Sequence, residues 1–133
     1  MIRAIDLITK HEGCRLKAYR DTLGHPTIGY GRCLDCKGIS QSEANLLLSH
    51  DIDDLYRGLG EYSWYRNATV QRQAVLVDMA FNLGIKGLLE FRDMVAAMER
   101  SDWNAAANEM LDSKWAKQVG ERAREDAELL RNG

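Results

Sequence analysis

The chain has few of the residues that stiffen or crosslink a protein. Its 133 residues include one proline, Pro26, and three cysteines, Cys14, Cys33 and Cys36. The low proline content favours helices, since proline breaks a helix interior. An odd cysteine count argues against a small secreted scaffold held by disulfides, so we expect free thiols in a reducing cytosol.

Long apolar runs and an excess of positive charge are also missing. No run approaches the ~20 apolar residues of a membrane-spanning helix. Asp6 interrupts the N-terminus where a signal peptide needs an apolar stretch, which predicts synthesis in the cytoplasm without a signal peptide. The formal net charge of −2 argues against a nucleic-acid partner, because phosphate binding needs a basic face. Mixed charges over 122–126 argue against stable membrane binding.

The N-terminal segment has the apolar periodicity of a helix. A helix is predicted over residues 2–12, because Met1 just before it, Ile5, Ile8 and Glu12 recur at spacings of four, three and four and so share one face. Gly13 follows, in the position of a left-handed helix cap. We therefore expect Glu12 on a buried apolar face, where desolvation would keep its carboxyl protonated.

Residues 16–36 have the composition of short strands. Three glycines and Pro26 interrupt any helix here, while aromatic and β-branched residues favour strands. The segment predicts a hairpin or a three-stranded sheet that turns through residues 21–24.

The remaining residues predict helices. Ser40 to Glu43 form a capping box, so a helix should begin near Gln41 and end near Gly58 or Gly60. Its predicted buried stripe is Ala44, Leu47, Leu48, Ile52, Leu55 and Leu59. Residues 70–83 are nearly all apolar and predict a core helix that Gly84 ends. Further helices are predicted at 88–99, 102–112 and 120–131, with a helical turn near 114–118.

These elements predict one α+β domain over 1–133 with two lobes. A small β-rich lobe covers about 14–39, and a linking helix covers about 41–58. A helical lobe combines 1–12 with 60–133. We expect a ligand cleft where the lobes meet.

Two carboxylates and a hydroxyl in the first quarter of the chain suggest glycoside hydrolysis. That reaction needs a proton donor for the leaving oxygen and a nucleophile at the anomeric carbon. Glu12 would be the donor. Asp21, on a polar turn, stays ionised and would activate a water or attack directly, and Thr27 would hold the same water. Taken singly, a glutamate at a helix end or an aspartate in a turn is more often a surface residue.

The segment around these residues resembles the bacteriophage-type lysozymes, the endolysin muramidases of glycoside hydrolase family 24. The residues that carry the resemblance are Glu12-Gly13, Arg15-Leu16-Lys17, Tyr19, Asp21-Thr22, Gly24 and Thr27-Ile28-Gly29-Tyr30-Gly31. Looser likeness continues to Trp115. The resemblance implies a two-lobed lysozyme-like fold and cleavage of the β-1,4 bond between N-acetylmuramic acid and N-acetylglucosamine in bacterial peptidoglycan.

The resemblance also implies roles for individual residues and partners. Glu12 is the proton donor, and Asp21 and Thr27 position the attacking water, with inversion at the anomeric carbon. Substrate contacts fall to Tyr30, Phe81 and Asn82, and Arg122 approaches the catalytic glutamate. No cofactor is expected, and the protein would act as a monomer. A holin-type helper would permeabilise the membrane so that the enzyme reaches the wall in the periplasm and lyses the host.

Two alternative functions stay open at this stage. A lytic transglycosylase would cleave the same bond with one glutamate and no water. A wall-binding module would have lost catalysis, although the Glu, Asp and Thr set argues against it.

Cys33 and Cys36 have metal-ligand spacing, but zinc needs further ligands, and no histidine has matching spacing, so no metal is expected. A disulfide among the three cysteines could form after export.

Overall fold

A three-stranded antiparallel sheet and nine helices make up the chain, which a computed structural model describes over residues 1–133. The strands are β1 (Arg15–Arg20), β2 (Pro26–Gly29) and β3 (Arg32–Cys33). The helices are α1 (Ala4–Glu12), α2 (Leu34–Lys37), α3 (Gln41–Leu59), α4 (Ser63–Arg66), α5 (Val70–Leu89), α6 (Arg92–Glu99), α7 (Trp103–Leu111), α8 (Lys114–Val119) and α9 (Glu121–Asn132). The α+β class predicted from the sequence is confirmed. No helix combines the length and the apolar character needed to cross a membrane.

The chain divides into two units, residues 1–47 and residues 48–133. The lobe boundaries drawn from the sequence, including the place of residues 1–12 in the helical lobe, stay predictions.

The first unit is built around the predicted sheet. Strand β2 lies in the middle, antiparallel to both neighbours. Thr27 on β2 is paired with Tyr19 on β1 and with Cys33 on β3. It is the one buried residue among residues 1–47. The centre of this small sheet is therefore a polar side chain.

Helix α1 forms as predicted but does not bury its apolar face. It ends at Gly13, which has φ +67°. None of its residues is buried, and the side chain of Ile8 is 52% exposed. Glu12 is exposed as well, so its predicted burial is wrong. Periodicity identified a shared face, but it carries no information about whether another element covers that face.

Helix α3 begins with the predicted capping box. The Ser40 N–H donates to Glu43 Oε1 at 2.8 Å, and the Glu43 N–H donates to Ser40 Oγ at 3.1 Å. The predicted buried stripe is wrong at Leu47 and Leu48, which are exposed. Leu47 instead lines an open, mostly apolar groove of about 890 Å³ beside β2 and β3. Only Leu59, at the other end of the helix, is fully buried.

The second unit carries the apolar core. Helix α5 supplies its centre, and its regular path is interrupted at Gly84 (φ 75°, ψ 159°), where the sequence predicted its end. The largest fully buried side chains are Leu59, Leu76, Met79, Leu88, Met94, Met98, Met110 and Leu130. The later predicted helices are present as α6 to α9. The short helices α2 and α4 were not predicted, since four residues carry too little periodicity.

Candidate active site

The turn after β1 fixes one carboxylate oxygen of Asp21. Its Oδ1 accepts the Leu23 N–H at 2.9 Å and the His25 N–H at 2.8 Å. The Asp21 N–H donates to the His25 carbonyl oxygen at 3.0 Å. Gly24 provides the positive φ of 84° that closes the turn. Aspartate is favoured in such turns because its short side chain reaches the following N–H groups. Its second oxygen, Oδ2, has no donor within the chain.

Thr27 makes a hydrogen bond to the same carbonyl oxygen, that of His25. Its Oγ1 donates to the His25 carbonyl oxygen at 2.9 Å, and the residue is 3% exposed. One oxygen atom therefore accepts hydrogen bonds from both Asp21 and Thr27. Because the hydroxyl hydrogen of Thr27 is used in this bond, Oγ1 keeps its lone pairs as an acceptor.

Glu12 lies at the C-terminal end of α1, with its carboxyl group against the turn between β2 and β3. A Cβ atom built on Gly31 would lie 3.3 Å from Glu12 Oε2 and 3.8 Å from Glu12 Cδ. Gly31 has φ +85°, a conformation that favours glycine. The missing side chain at Gly31 leaves room beside the carboxylate. Tyr30 in the same turn is about half exposed.

The other predicted site residues lie in the second unit. The side chain of Phe81 on α5 is 47% exposed. Beside it, Asn82 Oδ1 accepts the indole N–H of Trp115 at 2.7 Å. This bond leaves the amide NH₂ group of Asn82 for other partners. The substrate contacts assigned to Tyr30, Phe81 and Asn82 stay predictions.

Arg122 makes an ion pair that the sequence did not indicate. Its Nε donates to Asp78 Oδ2 at 3.0 Å, and its Nη2 donates to Asp78 Oδ1 at 2.8 Å. This fork holds the pKa of Asp78 below its usual value. The predicted approach of Arg122 to the catalytic glutamate stays a prediction.

Asp126 lies beside this ion pair and is 6% exposed. Burial, together with a hydrogen bond to Asp78 and the negative charge of Asp78, raises the pKa of Asp126 to about 8. The carboxyl group is therefore protonated at neutral pH. Sequence reasoning missed the pair because residues 78 and 126 lie on helices far apart in the chain.

His25 and the cysteines depart from the sequence expectations. His25 holds Asp21 and Thr27 through its main chain, so its side-chain chemistry gave no signal of this role. Cys33 and Cys36 form a disulfide, while Cys14 is free and exposed. The structure thus shows a disulfide of the kind that the sequence left open as an alternative to free thiols, because the turn from β3 into α2 brings the Cα atoms of Cys33 and Cys36 to 5.3 Å.

Comparison with known proteins identifies the family. The sequence model of the family described as phage lysozyme matches residues 9–129. Probable T4-type lysozymes 1 and 2 of Dictyostelium discoideum are 24% and 25% identical, each over 96% of this chain and 93% of the relative. Pre-baseplate central spike protein Gp5 of Enterobacteria phage T4 is 29% identical over 89% of this chain, which spans 26% of the spike protein. The chain therefore belongs to the phage lysozyme family of peptidoglycan hydrolases.

Proposed function

We propose that this enzyme is an N-acetylmuramidase that hydrolyses the β-1,4 bond between N-acetylmuramic acid and N-acetylglucosamine. Glu12 is the general acid, and Asp21 and Thr27 position the attacking water. The observation that carries the proposal is the shared His25 carbonyl oxygen, to which the Asp21 N–H and the Thr27 hydroxyl both donate. This arrangement fixes the position of two acceptor atoms, Asp21 Oδ2 and Thr27 Oγ1, relative to each other.

The hydrogen-bond inventory supports a water nucleophile. Asp21 Oδ1 is engaged by two N–H groups, so Oδ2 is the acceptor that is left. Thr27 Oγ1 likewise keeps acceptor lone pairs. A water that donates one hydrogen to each of these oxygens turns its own lone pair towards the anomeric carbon. Asp21 then takes the proton as the water attacks, and the anomeric configuration is inverted.

The position of Glu12 suits a proton donor once the sugar is bound. The carboxyl lies beside Gly31, where no side chain blocks the approach of a sugar ring. Bound substrate would cover this exposed group. Glu12 then gives its proton to the leaving glycosidic oxygen. In this proposal Tyr30, Phe81 and Asn82 contact the sugar chain, and Arg122 acts as a supporting residue.

We also propose that the enzyme lyses the bacterial host of a phage from within. It would act as a monomer on the wall in the periplasm, after a holin-type partner has opened the membrane. The family resemblance supports this role.

Replacing Glu12 with Gln tests the acid. General acid catalysis contributes about 10²- to 10⁴-fold, so Glu12→Gln should lower the rate of cell-wall turbidity loss by at least about 10²-fold. Glu128→Gln is the matched control, because Glu128 is an exposed helix residue without a hydrogen-bond partner and should retain full activity. Undiminished lysis by the Glu12 variant would overturn the assignment.

The reaction products separate hydrolysis from the transglycosylase reaction. Mass spectrometry of digested peptidoglycan should give muropeptides with a free reducing N-acetylmuramic acid end. Anhydro ends would contradict the roles of Asp21 and Thr27. Proton NMR of the first product formed should show the α-anomer, as inversion requires, and a β-anomer would contradict direct attack of water on the substrate.

A further inference from the structure

The side chain of His25 lies beside the two cysteines of the first unit. One ring nitrogen of His25 and the Sγ atoms of Cys33 and Cys36 all lie within 4.8 Å of one another. The sequence gave no reason to pair His25 with them, since seven residues separate it from Cys33. The sheet makes the pairing, because β2 begins just after His25 and lies antiparallel to β3, which ends at Cys33.

We propose that the reduced chain binds one zinc ion through His25, Cys33 and Cys36. Two thiolates and an imidazole are the ligands that zinc prefers, and the Cys-x-x-Cys spacing is that of zinc sites. Three protein ligands leave a fourth position for water. The claim does not depend on the proposed muramidase activity.

The distances allow a tetrahedral site with small movements. Bonds of ~2.0 to 2.3 Å to zinc place neighbouring ligand atoms about 3.3 to 3.8 Å apart. The three donor atoms are already within 4.8 Å. In the disulfide form the Cys36 N–H donates to Cys33 Sγ at 3.2 Å, and after reduction the same N–H would stabilise a thiolate at that sulfur. Cys36 is exposed while His25 and Cys33 are half-buried, so the metal has an open path to the site.

The disulfide and the zinc site exclude each other, because each uses both sulfur atoms. A thiol reductant breaks the S–S bond, which yields two protein thiols and the disulfide of the reductant. Zinc then replaces the two thiol protons, which pass to solvent, and His25 donates a lone pair from its neutral ring. Two thiolates balance the charge of the ion. The site therefore exists only in a reducing environment.

Metal titration of the full-length Cys14→Ser variant tests the proposal. With a phosphine reductant, which breaks the disulfide and takes oxygen from water, we expect one cobalt(II) ion per chain with thiolate-to-metal charge-transfer absorption. Zinc should displace it. The disulfide form should bind none. Absence of bound metal after reduction, or equal binding by the disulfide form, would overturn the site.

The role of His25 needs a separate readout. His25→Ala keeps the main-chain hydrogen bonds of the turn, and loss of this ligand should weaken zinc binding at least ~10-fold. The matched control, His50→Ala on α3, should bind like the parent. In the unsubstituted reduced chain, zinc should shift the imidazole NMR signals of His25 and leave those of His11 and His50 in place. Unshifted His25 signals would exclude it as a ligand, whatever the variants show.

Discussion

At the scale of single residues, Thr27 combines a structural and a proposed catalytic role in one hydroxyl. Its side chain lies at the centre of the sheet, and Oγ1 donates to the carbonyl oxygen that also receives the Asp21 N–H. A substitution that keeps the volume but removes the hydroxyl separates the two roles. Valine has this shape, and serine keeps the hydroxyl without the methyl group.

We expect Thr27→Val to lower the lytic rate about 10²-fold, because the water loses one of its two acceptors and its position. The free energy of unfolding should fall by about 1 kcal/mol for the lost hydrogen bond. Thr27→Ser should keep most of the activity. Steady-state rates on purified wall, with denaturant unfolding of each variant, make the comparison. A fully active valine variant would remove Thr27 from the mechanism.

At the scale of elements, the start of α3 depends on one reciprocal pair of hydrogen bonds. Glu43 accepts from the Ser40 N–H and also from Arg32, whose Nη2 lies 2.8 Å from Glu43 Oε2. Hydrogen bonds from Arg32, the larger contribution, and from Ser40 lower the pKa of Glu43 to about 2. The contacts of the ionised group therefore persist above pH ~4.5 and are lost as the pH falls towards 2.

Removing the cap should be measurable in the stability of the chain. Ser40→Ala should lower the free energy of unfolding by about 1 kcal/mol, the usual value for a lost N-cap side chain. Ser49→Ala, in the exposed interior of the same helix, is the control and should be neutral or slightly stabilising, because alanine has the higher helix propensity. Urea unfolding followed by circular dichroism compares the two. Equal free energies of unfolding for the two variants would mean that the side-chain cap does not stabilise the chain.

Local chemistry explains which elements the sequence could predict. The capping box of Ser40 and Glu43, the glycine turns and the apolar run of α5 are short-range signals, and each element formed where expected. The exposure of Leu47, Leu48 and Glu12 was not predictable, because burial depends on which surfaces meet. For the same reason the hydrogen bonds of the His25 main chain and the ion pair of Asp78 with Arg122 were invisible in the sequence.

At the scale of the whole molecule, Asp126 makes stability depend on pH. Its pKa is raised to about 8 when folded, against about 3.8 for an ordinary aspartate. Between these values the folded chain holds a proton that the unfolded chain has released. Stability from this group is therefore full below pH ~4 and declines as the pH rises to about 8. Asp78 contributes to the pH dependence of stability in the opposite direction, because Arg122 lowers its pKa. Its stabilising contribution is lost only as the pH falls below ~4.

Asparagine at position 126 should remove this dependence. It is neutral at every pH and has the shape of the protonated acid, so Asp126→Asn should be more stable than the parent at pH 8 and similar at pH 4. Glu128→Gln is the exposed control and should keep the parental profile. Thermal unfolding between pH 4 and pH 9 makes the test. A parental slope in the Asp126 variant would show that another group causes it.

Methionine gives the interior of the second unit an unusual tolerance of change. Met79, Met94, Met98 and Met110 are all fully buried there. A thioether chain turns about three bonds and can follow a neighbour that gains or loses a methyl group. Single substitutions beside these methionines should therefore leave smaller voids than in a core of stiffer side chains. Related proteins with such a core can therefore differ widely in their core residues while the helices keep the same packing.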